Sequence, residues 1–168
     1  GIGYDAGVCQ EVLATPFKKV FNRIGLGKLI YLFIALKQLI FITPRKMSVT
    51  LDQEHTFSYD HVYFTAVMNQ KYEGGGFMFC PDARSDDQLL DVILVEGIGK
   101  LKLLFCLPTA FFGKHTGICG IHLYTCRNIH IHSEESLPVH IDGESGGIHK
   151  DLTVSIEKKP LKIILPVV

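Results

Sequence analysis

Asp142, Gly143 and Glu144 place two carboxylates two residues apart around a glycine, directly after the apolar stretch Val139-His140-Ile141. At the end of a strand such acids can serve as a proton acceptor and a metal partner. Asp-Gly is equally common as hairpin punctuation, so both readings stand. A second acidic stretch, Pro81 to Leu89, carries Asp82, Asp86 and Asp87 around Arg84. That density suits a hard cation, but the stretch is not an EF-hand. Counted from Asp82, the sixth position is Asp87 where glycine is needed, and the twelfth is Ile93 where glutamate is needed. Backbone carbonyls of such a turn can still hold a metal, and an ordinary solvated turn has the same composition. His130 and His132 alternate and so share a strand face, with His122 and His140 nearby in sequence. Two imidazoles can bind zinc, yet the spacing marks no third ligand, and surface strand histidines are the alternative. Gly1-x-Gly3-x-x-Ala6 has the letters of a dinucleotide fingerprint. That motif needs a preceding strand and an acid about 20 residues on. After Glu11 the next acid is Asp52, which leaves a tight glycine loop ahead of a helix as the local reading.

The elements that must position these residues change period near residue 45. Val8, Val12 and Leu13, then Phe17, Val20 and Phe21, sit at helical spacing, and Leu29 to Ile42 is a dense apolar run broken by Lys37 and Gln38. Residues 7–42 therefore read as helical, interrupted at Gly25 and Gly27 and stopped by Pro44. The apolar run is shorter than the ~20 residues a membrane span requires. It is either a buried core helix or a membrane-touching one flanked by Lys18, Lys19, Arg23 and Lys28. From Met47 the period is two, through Val49 and Leu51, then Phe57 and Tyr59, then Val62 to Met68. The glycines 74–76 and the run Phe77 to Pro81 follow, and Leu89 to Val95 is a further apolar strand. Residues 98–112 suit a helix that Pro108 is expected to break. Residues 119–124, 128–132, 138–141, 152–156 and 161–165 read as short strands between polar turns. Many short strands point to a β-sandwich or a β-barrel.

Composition bounds the function. The 168 residues suit one domain, long enough to bury roughly two thirds of the unfolded chain's surface. Hydrophobic residues make up 47% and charged residues 20%, which excludes disorder. Seventeen basic residues balance seventeen acidic ones, so no broad polycationic surface for nucleic acid is expected. Five cysteines without a CxxC pair, several in apolar runs, fit a reducing, cytosolic compartment. The chain opens without methionine or signal peptide and is expected to be a piece of a longer protein.

Read in order, the motifs carry a resemblance. They are Gly1-Ile2-Gly3-Tyr4-Asp5-Ala6; Asn69 ahead of Gly74-Gly75-Gly76-Phe77; Cys80-Pro81-x-Ala83-x-x-Asp86-Asp87-x-Leu89-Leu90-Asp91-Val92; Lys114-His115; and Ile141-Asp142-Gly143-Glu144. Over essentially the whole chain this series resembles the second domain of the diacylglycerol kinase family of lipid kinases, which includes bacterial lipid kinases and the sphingosine kinases.

The resemblance implies a mostly β domain with a few helices, an antiparallel β-sandwich spanning 1–168. It would pair with an N-terminal ATP-binding domain whose GGDGT-type loop this sequence does not contain. It implies ATP-dependent phosphorylation of a diacylglycerol-like lipid hydroxyl at a membrane surface, by a cytoplasmic, peripherally associated protein with no transmembrane segment. The second domain by itself would be inactive, and a homodimer stays open. Asp142 would be the catalytic base, and Glu144 would orient a Mg²⁺–water network or the nucleotide. Asp5 would meet the acceptor hydroxyl. The main-chain carbonyls of Arg84, Asp87 and Leu89 would hold a structural Mg²⁺. Gln88 stands where the family has glycine, and a positive φ there would strain it. The competing readings are a non-enzymatic β-sandwich that binds lipid or protein, and the dinucleotide enzyme.

Overall fold

In the computed structural model, residues 1–15, 27–73, 76–157 and 159 are described. The expected helical stretch around Phe17 to Gly25, the first two glycines of the 74–76 run and the strand expected at 161–165 lie outside them. The order is β1 (Ile2–Gly3), α1 (Tyr4–Ala14), α2 (Gly27–Phe41), β2 (Arg45–Leu51), β3 (His55–Met68), β4 (Leu90–Glu96), α3 (Lys100–Ala110), β5 (Ile121–Cys126), β6 (Asn128–Ile141) and β7 (Glu144–Ser155).

Among the described residues all strands pair antiparallel in one seven-stranded sheet, ordered β1-β6-β2-β3-β4-β5 with β7 on β6. Short β1 also pairs with β3, Ile2 facing Thr65, so β1, β6, β2 and β3 close into a ring. The expected mostly β, antiparallel domain is therefore present, as one sheet that curls onto itself. An antiparallel β1 running into α1 is not the parallel strand–helix–strand unit of a dinucleotide fold.

The sheet has two buried faces. Val49, Val62, Val92, Leu94, Ile129 and Ile131 pack inside the curl. Phe64, Phe79, Ile93, Val95 and Leu103 pack on the other side, with the helices. β4 is therefore buried on both faces and reads as a continuous apolar run, as a central strand must. Each of Val92, Ile93 and Leu94 is within 1% of full burial, and each contributes about 1.5–3 kcal/mol.

Several boundaries differ from the expectation for local reasons. α1 starts at Tyr4, since Gly1-Ile2-Gly3 is taken up by β1 pairing. β3 is one 14-residue strand with a bulge between Val62 and Phe64, and β6 fuses the two short strands expected there, with irregular register past His132. Residues 77–81 do not form a strand. Glu73 and Phe77 make a single bridge, and Phe77 and Phe79 anchor the turn by stacking with one another and against Phe111 and Phe64. Pro108 does not break α3: it lies in the last turn, where only the bond toward Leu104 is lost. α2 is half-buried. Ile30, Ile34 and Leu39 face the core, while Phe33, Ile40 and Phe41 are exposed.

Candidate functional site: an acid–imidazole cluster beside a two-residue hairpin turn

β1 and β6 meet where Gly1 N donates to the His140 carbonyl at 3.0 Å and His140 N donates to the Gly1 carbonyl at 2.9 Å. A register shift between Pro138 and His140 turns both Val139 and His140 inward, against the alternation of the strand. α1 then sets Asp5 in its first turn, where the helix dipole favours a carboxylate. From the far side Glu73 is fixed by its own turn: its N–H donates to the Phe77 carbonyl at 2.8 Å, and its carbonyl accepts from Gly76 N at 3.1 Å.

These three elements bring Asp5, Glu73 and His140 together. His140 Nε2 lies 2.6 Å from Asp5 Oδ2 and 2.9 Å from Glu73 Oε1. The His140 side chain is 7% exposed, and those of Asp5 and Glu73 are 21% and 19% exposed. Burial alone would lower the imidazole, but hydrogen bonds to the two acids outweigh it and push His140 up to about 9. Burial and then the Asp5 charge raise Glu73. Burial would raise Asp5 too, yet its contact with His140 carries the net direction below the ordinary value. The three ligand atoms all lie within 4.8 Å of one another, a donor set able to grip a cation. In this structure they close on each other by hydrogen bonding instead.

The hairpin between β6 and β7 stands on the same helix. Ile141 pairs with Glu144, leaving Asp142 and Gly143 as a two-residue loop with φ of 49° and 80°. Positive φ at both positions is the turn that matches the twist of the flanking strands, which is why Asp-Gly is found there. α1 holds this loop: Cys9 Sγ donates to the Gly143 carbonyl at 3.0 Å, and Gln10 Nε2 reaches Ser145 Oγ and the Gly147 carbonyl at 3.4 and 3.2 Å. Asp142 and Glu144 are exposed. One helix thus carries Asp5 and supports the Asp142–Glu144 turn, which places an open carboxylate pair beside a buried one.

The 83–89 loop lies at the start of β4. Gln88 has φ 59°, the left-handed conformation that glycine adopts freely. Asp87 Oδ1 accepts from Leu89 N at 2.9 Å, and Arg84 turns to Asp86 at 3.2 Å. Asp91 follows with its Oδ2 buried and unpartnered, and its carboxyl is raised by burial and by the charges of Asp87 and Asp82. The Arg84 charge in this loop is taken up by Asp86, so a cation on the loop carbonyls would meet the unpartnered Asp91 carboxyl.

The histidines singled out for zinc do not gather at one site. His130, half-buried, and His132, exposed, share Asp151, at 3.6 and 2.7 Å, while His122 pairs with Glu96 at 3.0 Å. His115 is buried against the Phe79 carbonyl at 3.0 Å, and burial lowers its imidazole. None of the five cysteines is in a disulfide.

Two site residues escaped sequence reasoning. Glu73 precedes the glycine run with no spacing to mark it. His140 counted only as one of several neighbouring histidines, because the bulge that buries it is invisible to a period-two reading. A cleft of about 210 Å³ between α1, α2, β3 and β6, with Arg45 at its edge, is smaller than the ~300 Å³ at which small-molecule pockets begin.

Residues 1–165 match the family described as the YegS C-terminal NAD kinase beta sandwich-like domain. The chain is 31% identical over 147 residues to the Bacillus subtilis protein YtlR, which bears a lipid-kinase name, covering 88% of this chain and 47% of that protein. It is 27% identical over 139 residues to a protein named diacylglycerol kinase in Mycobacterium tuberculosis, covering 79% and 44%. It is 28% identical over 161 residues to a YegS-like protein of Shewanella frigidimarina named as a lipid kinase, covering 96% and 50%. The chain thus spans about half the length of the curated relatives it matches. A crystal structure from Bacillus anthracis described as a diacylglycerol kinase superposes with a TM-score of 0.59 at 22% identity, over 76% of this chain and 41% of that one, a likeness of fold. This chain belongs to the YegS C-terminal NAD kinase beta sandwich-like domain family.

Proposed function

We propose that this chain is the second domain of a lipid kinase that uses ATP to phosphorylate a diacylglycerol-like hydroxyl. The observation that carries the reading is the support of Asp5 and the Asp142–Glu144 turn by one helix, α1, in a chain whose relatives bear lipid-kinase names. The curled sheet encloses one apolar core and lays a second under the helices.

Phosphoryl transfer asks for an in-line hydroxyl and a proton acceptor beside it, with a cation on the γ-phosphate. Asp142, exposed at the hairpin tip, accepts the proton of the attacking hydroxyl. Glu144, its neighbour across the turn, faces the nucleotide side, where it would orient a Mg²⁺–water network that supplies positive charge to the phosphates. Asp5 hydrogen-bonds the hydroxyl and aligns it. ATP is held by the N-terminal domain of the full-length protein, so residues 1–168 alone transfer no phosphate. The main-chain carbonyls of Arg84, Asp87 and Leu89 would hold a structural Mg²⁺, with Asp91 as the nearby counter-charge. When bound, it supplies positive charge that pins the loop to β4.

The lipid is approached from a membrane surface. Phe33, Ile40 and Phe41 of α2 and Leu101 and Phe105 of α3, with Phe112 just beyond, are exposed apolar side chains on two helices joined by the Lys100 Nζ bond to the Ile40 carbonyl at 2.6 Å. Among the described residues no helix is long and apolar enough to cross a membrane. A cytoplasmic, peripheral attachment uses such a face with its flanking lysines.

The test is phosphorylation by the full-length protein with diacylglycerol, sphingosine and phosphatidylglycerol offered in parallel. Turnover of one of them, lost in Asp142→Asn, is expected. Absence of a GGDGT-type loop from the full-length sequence, or no turnover of any lipid, leaves the non-enzymatic lipid- or protein-binding domain as the reading.

A further inference from the structure

Asp5, Glu73 and His140 come from an N-terminal helix, a turn after β3 and the end of β6, and the Asp5–His140 contact spans 135 residues of chain. No local structure requires that meeting. Gly1 shows how closely the backbone is fitted to it: a Cβ there would lie 2.6 Å from His140 Nε2 and 2.7 Å from Asp5 Oδ2. A single imidazole nitrogen serves both carboxyls, one at 2.6 Å and one at 2.9 Å. Two half-buried carboxyls at one site hold two charges only at a cost, so their environments divide the roles.

The division is visible in the surroundings. His140 lies closer to Asp5, and Glu73 hydrogen-bonds Asp5 as well. Asp5 therefore receives two contacts that favour its charged form, while burial and the Asp5 charge favour the protonated form of Glu73. Glu73 Oε2 and His140 Nδ1 are buried and have no partner among the described residues, so both side chains spend their bonding on the shared centre. The other titratable groups around this corner are the Gly1 amino group, Tyr4 and Cys9 of α1, and Asp142 of the hairpin turn.

We propose that Glu73 and His140 are positioning residues that fix the orientation and the charge of the Asp5 carboxylate, so that the acid offered to the lipid hydroxyl is one leg of a buried three-member network. This rests on the reading of Asp5 as the hydroxyl-recognising residue. His140 donates through Nε2 to Asp5, Glu73 donates its carboxyl proton to Asp5, and the remaining accepting capacity of Asp5 is left for the substrate. Neither Glu73 nor His140 touches the lipid.

The experiment uses the full-length protein and the lipid that it phosphorylates, with kcat/KM measured from about pH 5 to pH 9, where imidazole and perturbed carboxyls change charge. His140→Gln and Glu73→Ala are each expected to lower kcat/KM for lipid about tenfold, with KM for ATP unchanged, as loss of a charge-assisted contact does. Both should also move the acid limb of the profile upward by roughly one unit, because Asp5 then takes up its proton more readily. Glu73→Gln recovers most of the loss, since its amide N–H donates to Asp5 as the carboxyl O–H does. Nuclear magnetic resonance of the ¹³C-labelled histidines gives a readout that needs no turnover. The His140 resonance of the unmodified protein should titrate well above the ordinary ~6.5 and fall toward it in Asp5→Asn.

Failures of the two ideas separate. If Asp5→Asn leaves lipid kinetics intact, the recognition role of Asp5 is wrong and the proposal falls with it. If Asp5→Asn is impaired but the acid limb stays put in both partner variants, or His140 titrates as an ordinary imidazole, the positioning network alone is overturned. A variant that lowers the melting temperature without shifting the limb shows a purely structural role and also overturns it.

Discussion

Asp142 occupies a left-handed position at φ 49°, followed by Gly143 at φ 80°. Asn is more at home there than most residues, and Asn-Gly is the strongest turn dipeptide of this type. Asp142→Asn is therefore expected to keep or raise the melting temperature while turnover of the full-length enzyme falls roughly 10²–10⁴-fold, the range for loss of a general base. An unchanged circular dichroism spectrum with kcat reduced less than about threefold would remove Asp142 from that role. His140 sets a stability limb of its own. Its imidazole is raised from an ordinary ~6.5 in the unfolded chain to about 9 in the fold. A raised base stabilises fully below its unfolded value, and the contribution disappears as pH climbs through the folded one. Glu73, a raised acid, also loses stability as pH rises, whereas Asp5, shifted the other way, loses it as pH falls through the carboxylate range. Thermal unfolding should show the melting temperature dropping between about pH 6.5 and 9, with a shallower slope in His140→Gln. Equal slopes in the two proteins would place the titration elsewhere.

The 83–89 loop shows what an element asks of a residue. Gln88 holds φ 59°, a conformation costing a side-chain-bearing residue roughly 1–2 kcal/mol. Gln88→Gly removes that cost but loosens the unfolded chain, so a gain of up to about 1 kcal/mol in unfolding free energy is expected. Added Mg²⁺ should raise the melting temperature, and Arg84→Ala should leave that rise unchanged, because the Arg84 side chain turns outward to Asp86 and the proposed ligand is its carbonyl. Denaturant titrations with and without Mg²⁺ check both. No rise with Mg²⁺ counts against the metal, and a less stable Gln88→Gly counts against the strain. Elsewhere the local rules bent without breaking. Pro108 is tolerated since it falls in the last turn of α3, and β6 absorbs a register shift that a simple two-residue period does not anticipate.

At the scale of the molecule, the exposed apolar side chains of α2 and α3 stand out against a well-buried double core. Phe41 is 75% and Phe112 72% exposed, values that a folded core does not need. Paired Phe41→Ser and Phe105→Ser substitutions are expected to leave thermal stability almost unchanged. They should weaken co-sedimentation of the full-length protein with anionic vesicles by roughly tenfold or more, since each buried phenyl is worth about 1.5–3 kcal/mol. Equal sedimentation of substituted and unsubstituted protein would show that this face does not meet the bilayer.

Composition, the change of period near residue 45 and the ordered motifs were enough to determine a mostly β domain, helices near the start and at 98–112, and the Asp142-Gly143 turn. Those features depend on near neighbours: alternation along a strand, positive φ at a turn, apolar spacing on a helix. The closure of the sheet through two-residue β1, the burial of β4 on both faces and the meeting of Asp5 with Glu73 and His140 were decided by tertiary structure. The closure and the cluster join residues more than 60 positions apart, and β4 pairs with residues 23 to 36 positions away, all placed together by strand register and by a bulge. Pattern reading finds a carboxylate; only packing decides whether that carboxylate has an imidazole 2.6 Å away.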